Sequence, residues 1–124
     1  MQVGIDIQET ETLERFIGTQ KMQRLFSKRE LEYIDQKNNA LQTIAGLYCA
    51  KEAFFKALGK GLVISQLTEV EILHNHSGAP YYQLSRNVIT QNGLGTAKIT
   101  LSISHTKTVA VAICIIIKTD LLLG

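Results

Sequence analysis

Tyr48-Cys49-Ala50-Lys51-Glu52-Ala53-Phe54-Phe55-Lys56-Ala57-Leu58-Gly59-Lys60-Gly61 is the stretch on which the organisation of this chain turns. With Leu41, Ile44 and Ala45 before it, the apolar residues Tyr48 and Phe55 fall at helical spacings and predict one long helix from about Leu41 to Leu58. Glu52 and Lys56 are four residues apart, so they stand one above the other on one face of that helix. The helix then stops at Gly59, and Gly59-Lys60-Gly61 is a turn that lets backbone come close to a ligand. A carboxylate, an ammonium and a glycine turn so placed suit a site that holds a metal ion and a phosphate together. They equally describe a solvent-facing ion pair on an ordinary capped helix, a contact worth about 0.3–0.5 kcal/mol. Alone, the stretch fits that plainer description better, and the decision passes to the rest of the chain.

Toward the N-terminus, Ser27-Lys28-Arg29-Glu30 matches a capping box and predicts a helix from Ser27 to about Gln36, broken by Asn38-Asn39. Residues 9–26 read as mostly helical, with Leu13, Phe16, Met22 and Leu25 among the apolar positions and Gly18-Thr19 as an interruption. Val3, Ile5 and Ile7 alternate with Gly4 and Asp6, a short strand with Asp6 on the face opposite the isoleucines. Toward the C-terminus the period changes to two. Val70 and Ile72, with Thr68 before them, predict a strand, Asn75-His76-Ser77-Gly78 a turn, and Tyr81 to Ser85 a return strand. Pro80 stands at the entrance to that strand, where a missing N–H does least harm. Residues 86–92 read as a short helix ending near Gly93 and Gly95. Ile99, Leu101 and Ile103 then alternate with polar residues, and Thr106-Lys107 leads to a strand from Thr108 to Ile117. On that strand Ala110, Ala112 and Cys114 lie opposite Val109, Val111 and Ile113, as in a strand covered on both faces. The expected class is α+β, helices packed on a mainly antiparallel sheet, in one domain spanning 1–124.

The chain of 124 residues is 45% hydrophobic and 19% charged, which describes a globular domain with a core and excludes a disordered one. A formal net charge of +2 gives no ground for a nucleic-acid partner. Charge is distributed unevenly: Asp6, Glu9, Glu11 and Glu14 precede Arg15, Lys21, Arg24, Lys28 and Arg29. The basic segment reads either as a receptor for an acidic partner or as a solvated helix face. Cys49 and Cys114 sit among apolar residues and read as reduced and buried. Gln2 to Gln8 has no signal-peptide character, and the apolar run Val109 to Ile117 spans nine residues, too few to cross a bilayer as a helix. A cytoplasmic protein without a membrane partner is the resulting expectation.

Asp6 is the first candidate partner for Glu52. If the long helix packs on the N-terminal strand, two carboxylates from distant parts of the chain converge; otherwise Asp6 faces water at a sheet edge. Hard divalent ions such as Mg²⁺ take one or two carboxylates and fill their shell with water and phosphate oxygens, so such a pair predicts a phosphate-bearing substrate. His74 and His76 flank a turn, lack cysteine partners and read as surface residues rather than zinc ligands. His105, at the end of Ser102-Ile103-Ser104-His105, either reaches a substrate phosphate or bonds a neighbouring carbonyl. There is no G-x-S-x-G elbow, no Walker loop and no G-x-G-x-x-G.

Gly4-Ile5-Asp6-Ile7, Lys51-Glu52-Ala53-Phe54 with Lys56-Ala57-Leu58-Gly59, and Ser102-Ile103-Ser104-His105 resemble, in order and spacing, the 4′-phosphopantetheinyl transferases. Chain length is closest to their short class, holo-[acyl-carrier-protein] synthase, and Gly78-Ala79-Pro80 matches the family's Gly-x-Pro turn. The resemblance spans nearly the whole chain. It implies that fold and a Mg²⁺-dependent transfer of phosphopantetheine from coenzyme A to a serine of an acyl carrier protein, releasing adenosine 3′,5′-bisphosphate. It implies Asp6 and Glu52 as Mg²⁺ ligands and catalytic residues, and Lys56 as a catalytic phosphate contact. The proton of the carrier serine would go to Glu52 or to a metal-bound water. Gly59, Gly61, Pro80, Ser104, His105 and Thr106 would shape the coenzyme A pocket, with His105 near the 3′-phosphate. Arg15, Lys21, Arg24, Lys28 and Arg29 would dock an acidic carrier-protein helix.

Two positions depart from the family pattern. Thr12 stands where many members carry arginine, with Arg15 one turn on, and Leu47 follows Ala45-Gly46 where many carry arginine. The resemblance also implies a homotrimer with sites at subunit interfaces. Two other functions fit the same residues: a Mg²⁺-dependent phosphohydrolase using Asp6 and Glu52, and a non-catalytic module that binds a carrier protein or nucleotide.

Overall fold

In the computed structural model, which describes residues 1–119, a long helix lies across a three-stranded antiparallel sheet, and a two-stranded hairpin packs at its side. Residues 120–124 of the expected domain lie outside the described residues. The strands are β1 (Gln2–Glu9), β2 (Val70–His74), β3 (Pro80–Leu84), β4 (Ala97–His105) and β5 (Val109–Lys118). The helices are α1 (Lys21–Leu25), α2 (Lys28–Asp35), α3 (Ala40–Ala57) and α4 (Arg86–Gln91). Strand β5 is central, flanked by β1 and β4, while β2 and β3 form the hairpin. The fold is α+β, as the patterning predicts.

Small residues let α3 sit close to the sheet. Ala45, Ala50, Ala53 and Ala57 on the helix, and Ala110, Ala112 and Cys114 on β5, are all buried. The closest approach is at Gly4: a Cβ there would lie 2.0 Å from the Ala53 carbonyl oxygen and 2.5 Å from the Ala57 nitrogen. No side chain fits at such distances, so β1 reaches α3 only because residue 4 is glycine. The alternation of β1 therefore has an inverted sense. Gly4 and Asp6 face the helix and are buried, whereas Val3, Ile5 and Ile7 are 50%, 59% and 65% exposed.

The capping box at Ser27 forms as expected, with Ser27 Oγ accepting from the Glu30 N–H and Glu30 Oε1 accepting from the Ser27 N–H. Glu30 also does something a capping box does not require. Its carboxylate is fully buried against Lys51, whose Nζ donates to Glu30 Oε1 at 2.7 Å and to the Leu67 carbonyl at 2.5 Å. Glu30 Oε2 accepts from the Ile72 N–H at 2.9 Å. One ion pair thus ties α2, α3, the 3₁₀ segment Ile64–Glu69 and β2 together. Burial pushes Glu30 up and Lys51 down, and the attraction between them opposes both shifts.

Elsewhere the structure corrects the expected boundaries. Residues 9–26 are not one interrupted helix but a 3₁₀ segment, Thr10–Phe16, followed by the short α1. Thr12 and Thr19 hydroxyls donate back to the Glu9 and Phe16 carbonyls, each at 2.7 Å, and Gly18 has φ 76°, so local hydrogen bonding displaces the α-helix. Ser85 is not the end of β3 but the cap of α4, accepting from the Val88 N–H at 3.1 Å. His74 is not a turn residue. It ends β2, half-buried, with its ring stacked on Tyr33 at 4.1 Å and 10°.

Lys51→Met leaves a buried carboxylate without its cation and is expected to cost about 3–5 kcal/mol in urea unfolding. Replacing Glu30 by Met as well recovers only part of this, because the Ser27 and Ile72 N–H groups lose their acceptor. A single Lys51→Met variant within about 1 kcal/mol of the parent protein would refute the structural role given to the pair.

Candidate active site

The close contact at Gly4 sets the geometry of the site. Two residues further along β1 and on the same face, Asp6 is delivered onto α3 with only 5% of its surface exposed. Lys56, in the last turn of α3, donates from Nζ to Asp6 Oδ1 at 2.9 Å, and Gln8 donates from Nε2 to Asp6 Oδ2 at 3.0 Å. Four residues before Lys56, Glu52 accepts the Tyr48 hydroxyl on Oε1 at 3.0 Å, and its Oε2 has no protein partner among the described residues. The Glu52–Lys56 spacing therefore makes no ion pair with itself; Lys56 is drawn across to the strand. That separates this arrangement from an ordinary surface pair.

Both carboxylates act on the same neighbours. The Lys56 ammonium is held above its usual range, first by its hydrogen bond to Asp6, with the charge of Glu52 adding to it. The Tyr48 phenol is pushed up to about 12, first by burial and then by the negative charge of Glu52, with Asp6 contributing. Burial pushes the Cys49 thiol up as well, followed by the charge of Asp6, so this cysteine is an inert, buried thiol. Among the described residues no group of three or more His, Cys, Asp or Glu is arranged to hold a metal. A set of two carboxylates without imidazole or thiolate fits a hard ion such as Mg²⁺, which keeps water and takes further oxygens from a phosphate.

The residues expected to shape a coenzyme A pocket are distributed differently. Pro80 and His105 line a cavity of about 190 Å³ together with Tyr33, His74, Gly46 and Leu47. Asp6, Glu52 and Lys56 do not line it. Of the α3 residues that line it, Gly46 and Leu47 are ten and nine positions before Lys56, about 80° and 180° around the helix, so the cavity is displaced from Lys56 along and around the helix axis. Gly59, with φ 75°, closes the helix by donating to the Lys56 carbonyl at 2.9 Å, and Gly61 is exposed beyond it. Both lie about 20 Å along the axis from Gly46. Ser104 is exposed and, by strand alternation, points to the sheet face opposite His105. Thr106 accepts on Oγ1 from the Thr108 and Val109 N–H groups and shapes the β4–β5 turn.

The basic residues also divide. Lys21 and Arg24 line an apolar groove of about 250 Å³ with Phe16, Leu25, Leu62 and Tyr48. Arg15 and Lys21 lie 4.9 and 5.5 Å from the Phe16 ring centre. Lys28 borders a separate groove beside Phe26 and Leu31, and Arg29 is held by both oxygens of Glu71, at 3.2 and 2.5 Å. Tyr48 joins the first groove to Glu52, a role hidden in the sequence because its position reads simply as apolar helix. The signal for Lys51 was a charge that follows Cys49 and Ala50 and precedes Glu52 and Ala53, with Cys49, Ala50 and Ala53 all buried.

Known proteins place this geometry in a family. The sequence profile described as the 4′-phosphopantetheinyl transferase superfamily matches residues 2–114. A holo-[acyl-carrier-protein] synthase of Treponema denticola is 38% identical over 117 residues, covering 92% of this chain and 95% of its own. One from Caldicellulosiruptor saccharolyticus is 42% identical over 118 residues, covering 91% and 93%. Among solved structures, a holo-(acyl-carrier-protein) synthase from Bacillus anthracis in complex with CoA (3′,5′-ADP) superposes with a TM-score of 0.79 at 26% identity, covering 95% of this chain and 96% of that one. The chain belongs to the 4′-phosphopantetheinyl transferase superfamily.

Proposed function

We propose that the chain acts as a holo-[acyl-carrier-protein] synthase, moving 4′-phosphopantetheine from coenzyme A to a serine of apo acyl carrier protein, with Asp6, Glu52 and Lys56 as its catalytic groups. The observation that carries this assignment of residues is the convergence of Asp6 from β1 onto Lys56 and the Glu52 side of α3. In the reaction the serine oxygen bonds to the pantetheine-bearing phosphorus. The bond from that phosphorus to the bridging oxygen breaks, and adenosine 3′,5′-bisphosphate leaves. Asp6 and Glu52 would hold Mg²⁺, which when bound neutralises charge on the pyrophosphate. Lys56, half exposed at its side chain, contributes a fixed positive charge to the same oxygens. Both Asp6 oxygens accept hydrogen bonds and keep lone pairs only for a metal, whereas Glu52 Oε2 is open, so the serine proton would pass to Glu52 rather than to Asp6. Tyr48 holds Oε1 meanwhile.

The groove beside Tyr48 suits an acidic carrier-protein helix with an apolar face: Lys21 and Arg24 supply charge, with Arg15 beside Phe16, and Leu25 and Leu62 supply apolar surface. Lys28 and Arg29 would stand at the margin of such a complex. The nucleotide pocket is assembled between copies. The cavity at Pro80 and His105 is lined by none of Asp6, Glu52 and Lys56, and the uncovered Val3, Ile5 and Ile7 face offers the apolar surface for a homotrimer. Two buried, unpaired cysteines accord with the reducing cytoplasm.

Incubated with coenzyme A and Mg²⁺, apo acyl carrier protein is expected to gain the mass of one phosphopantetheine group. Glu52→Gln is expected to lower that rate about 10²–10³-fold, as loss of a charged transition-state contact does. A rate unchanged by Glu52→Gln would remove the proposed site. Release of inorganic phosphate without carrier modification would mark a phosphohydrolase, and binding without turnover a non-catalytic module.

A raised phenol pKa keeps Tyr48 in its neutral, donating form across the working range; the donor is lost only as pH rises through about 12. Tyr48→Phe should therefore lower kcat several-fold while leaving the alkaline limb of the pH profile in place. A shifted limb would identify Tyr48 as a titrating group. On the uncovered sheet face, Ile5→Glu should give a monomer by sedimentation that no longer modifies the carrier; an active monomer would refute the shared site.

A further inference from the structure

The Lys56 ammonium is the movable member of an otherwise fixed constellation. Its side chain is half exposed, whereas Asp6, the carboxylate that it holds at 2.9 Å, is almost wholly buried. Gln8 covers the other Asp6 oxygen from the same strand at 3.0 Å. Glu52 stands one turn before Lys56 on α3, yet its hydrogen bond is to the Tyr48 hydroxyl and not to Lys56. Lys56 therefore neutralises the carboxylate that burial makes unfavourable to leave alone, and Glu52 keeps an open oxygen.

Charge decides what can coexist at this site. Two carboxylates against one ammonium leave one net negative charge. A divalent ion added beside Lys56 would turn this into one net positive charge, with the ion and the ammonium repelling each other across a single carboxylate. Gln8 is neutral and meets no such repulsion, so Lys56 is the group that yields. Its flexible, half-exposed stem lets it turn away without disturbing β1 or α3. The ammonium then needs a new anion. The pyrophosphate diester of coenzyme A carries two negative charges, which restore the original balance.

We propose that Lys56 is a displaceable counter-ion of Asp6: it occupies that carboxylate until a divalent ion takes it, and then turns to the pyrophosphate. This goes beyond the transferase reading and rests on it for the identity of the metal and of the nucleotide. Displacement makes Lys56 a competitor of the metal bound alone and a partner of the metal bound with the nucleotide. Each ligand thus prepares the site for the other, because the metal frees the ammonium and the pyrophosphate receives it. Linkage requires the two affinities to rise by the same factor, about 5–150-fold for couplings of this kind, and Lys56 carries a part of that factor beside the direct contact of metal and phosphate.

The test measures equilibrium binding with no carrier protein present. Mn²⁺ is followed by the paramagnetic resonance of the free ion and coenzyme A by calorimetry, each alone and with the other, corrected for the complex that the two form in solution. Lys56→Met vacates Asp6. Mn²⁺ alone should then bind about tenfold tighter, while coenzyme A in the presence of Mn²⁺ binds about tenfold weaker. The opposite signs separate displacement from damage to the fold, which would weaken both. Lys56→Arg restores a cation able to reach Asp6 and should return Mn²⁺ to the parent affinity. Lys60→Met removes the same charge from an exposed lysine held by Asn92 at 2.8 Å, and should change Mn²⁺ affinity less than about twofold. Mn²⁺ affinity unchanged or lowered in Lys56→Met, or raised as much by Lys60→Met, would overturn the proposal. The expected signs in a protein that modifies no carrier would support the exchange while refuting the transferase reading; carrier modification without those signs would do the reverse.

Discussion

The backbone contact between β1 and α3 at Gly4 is the constraint from which the site follows. With 2.0 Å between a virtual Cβ and the Ala53 carbonyl oxygen, the strand lies directly on the helix. Asp6 is two residues further on the same face, so it cannot avoid α3 and is buried beside it. Burying a carboxylate is costly unless its oxygens are engaged, and here they are, by Lys56 and Gln8. The same contact turns Val3, Ile5 and Ile7 outward. One glycine thus sets both the acidic pair and the apolar exterior of the sheet.

Glu52 and Lys51 are neighbours with opposed tasks. A step of one residue turns about 100° around the helix, enough to point Lys51 into the core and Glu52 toward Asp6. The inner charges are paired on both sides: Lys51 by Glu30 and the Leu67 carbonyl, Glu30 by Lys51, Ser27 and Ile72. The outer charge is satisfied incompletely, with one Glu52 oxygen left open. A buried pair adds little net stability over an apolar substitute, but its geometry admits one arrangement of its four attached elements. The rotation of α3 about its axis, and with it the aim of Glu52, is fixed from the inside.

Much of this was legible before any coordinates, and the boundary of legibility has a physical cause. Period and turn chemistry located α3, the β2–β3 hairpin and the two C-terminal strands, because these depend on local spacing. Residue type and order located Asp6, Glu52 and Lys56. What stayed hidden depends on which side of an element is covered. The β1 alternation is symmetric as a pattern, and only the helix on its Gly4 face decides that isoleucine faces out and aspartate in. His74 read as a turn residue because its stacking partner Tyr33 is more than forty residues away in sequence. Glu30 announced itself as a cap, and its second role required Lys51 to be brought alongside.

The same question of sidedness applies to the site as a whole. The carboxylate pair sits toward the C-terminal half of α3, and the histidine-lined cavity borders its N-terminal half. In the proposed assembly the two half-sites would come from different copies of the chain. The uncovered isoleucine face would provide a surface for that pairing, and Ser104 stands on it. A domain too small to enclose its substrate would, in that assembly, do so by repetition, one copy supplying the carboxylates and the next the histidine-lined cavity.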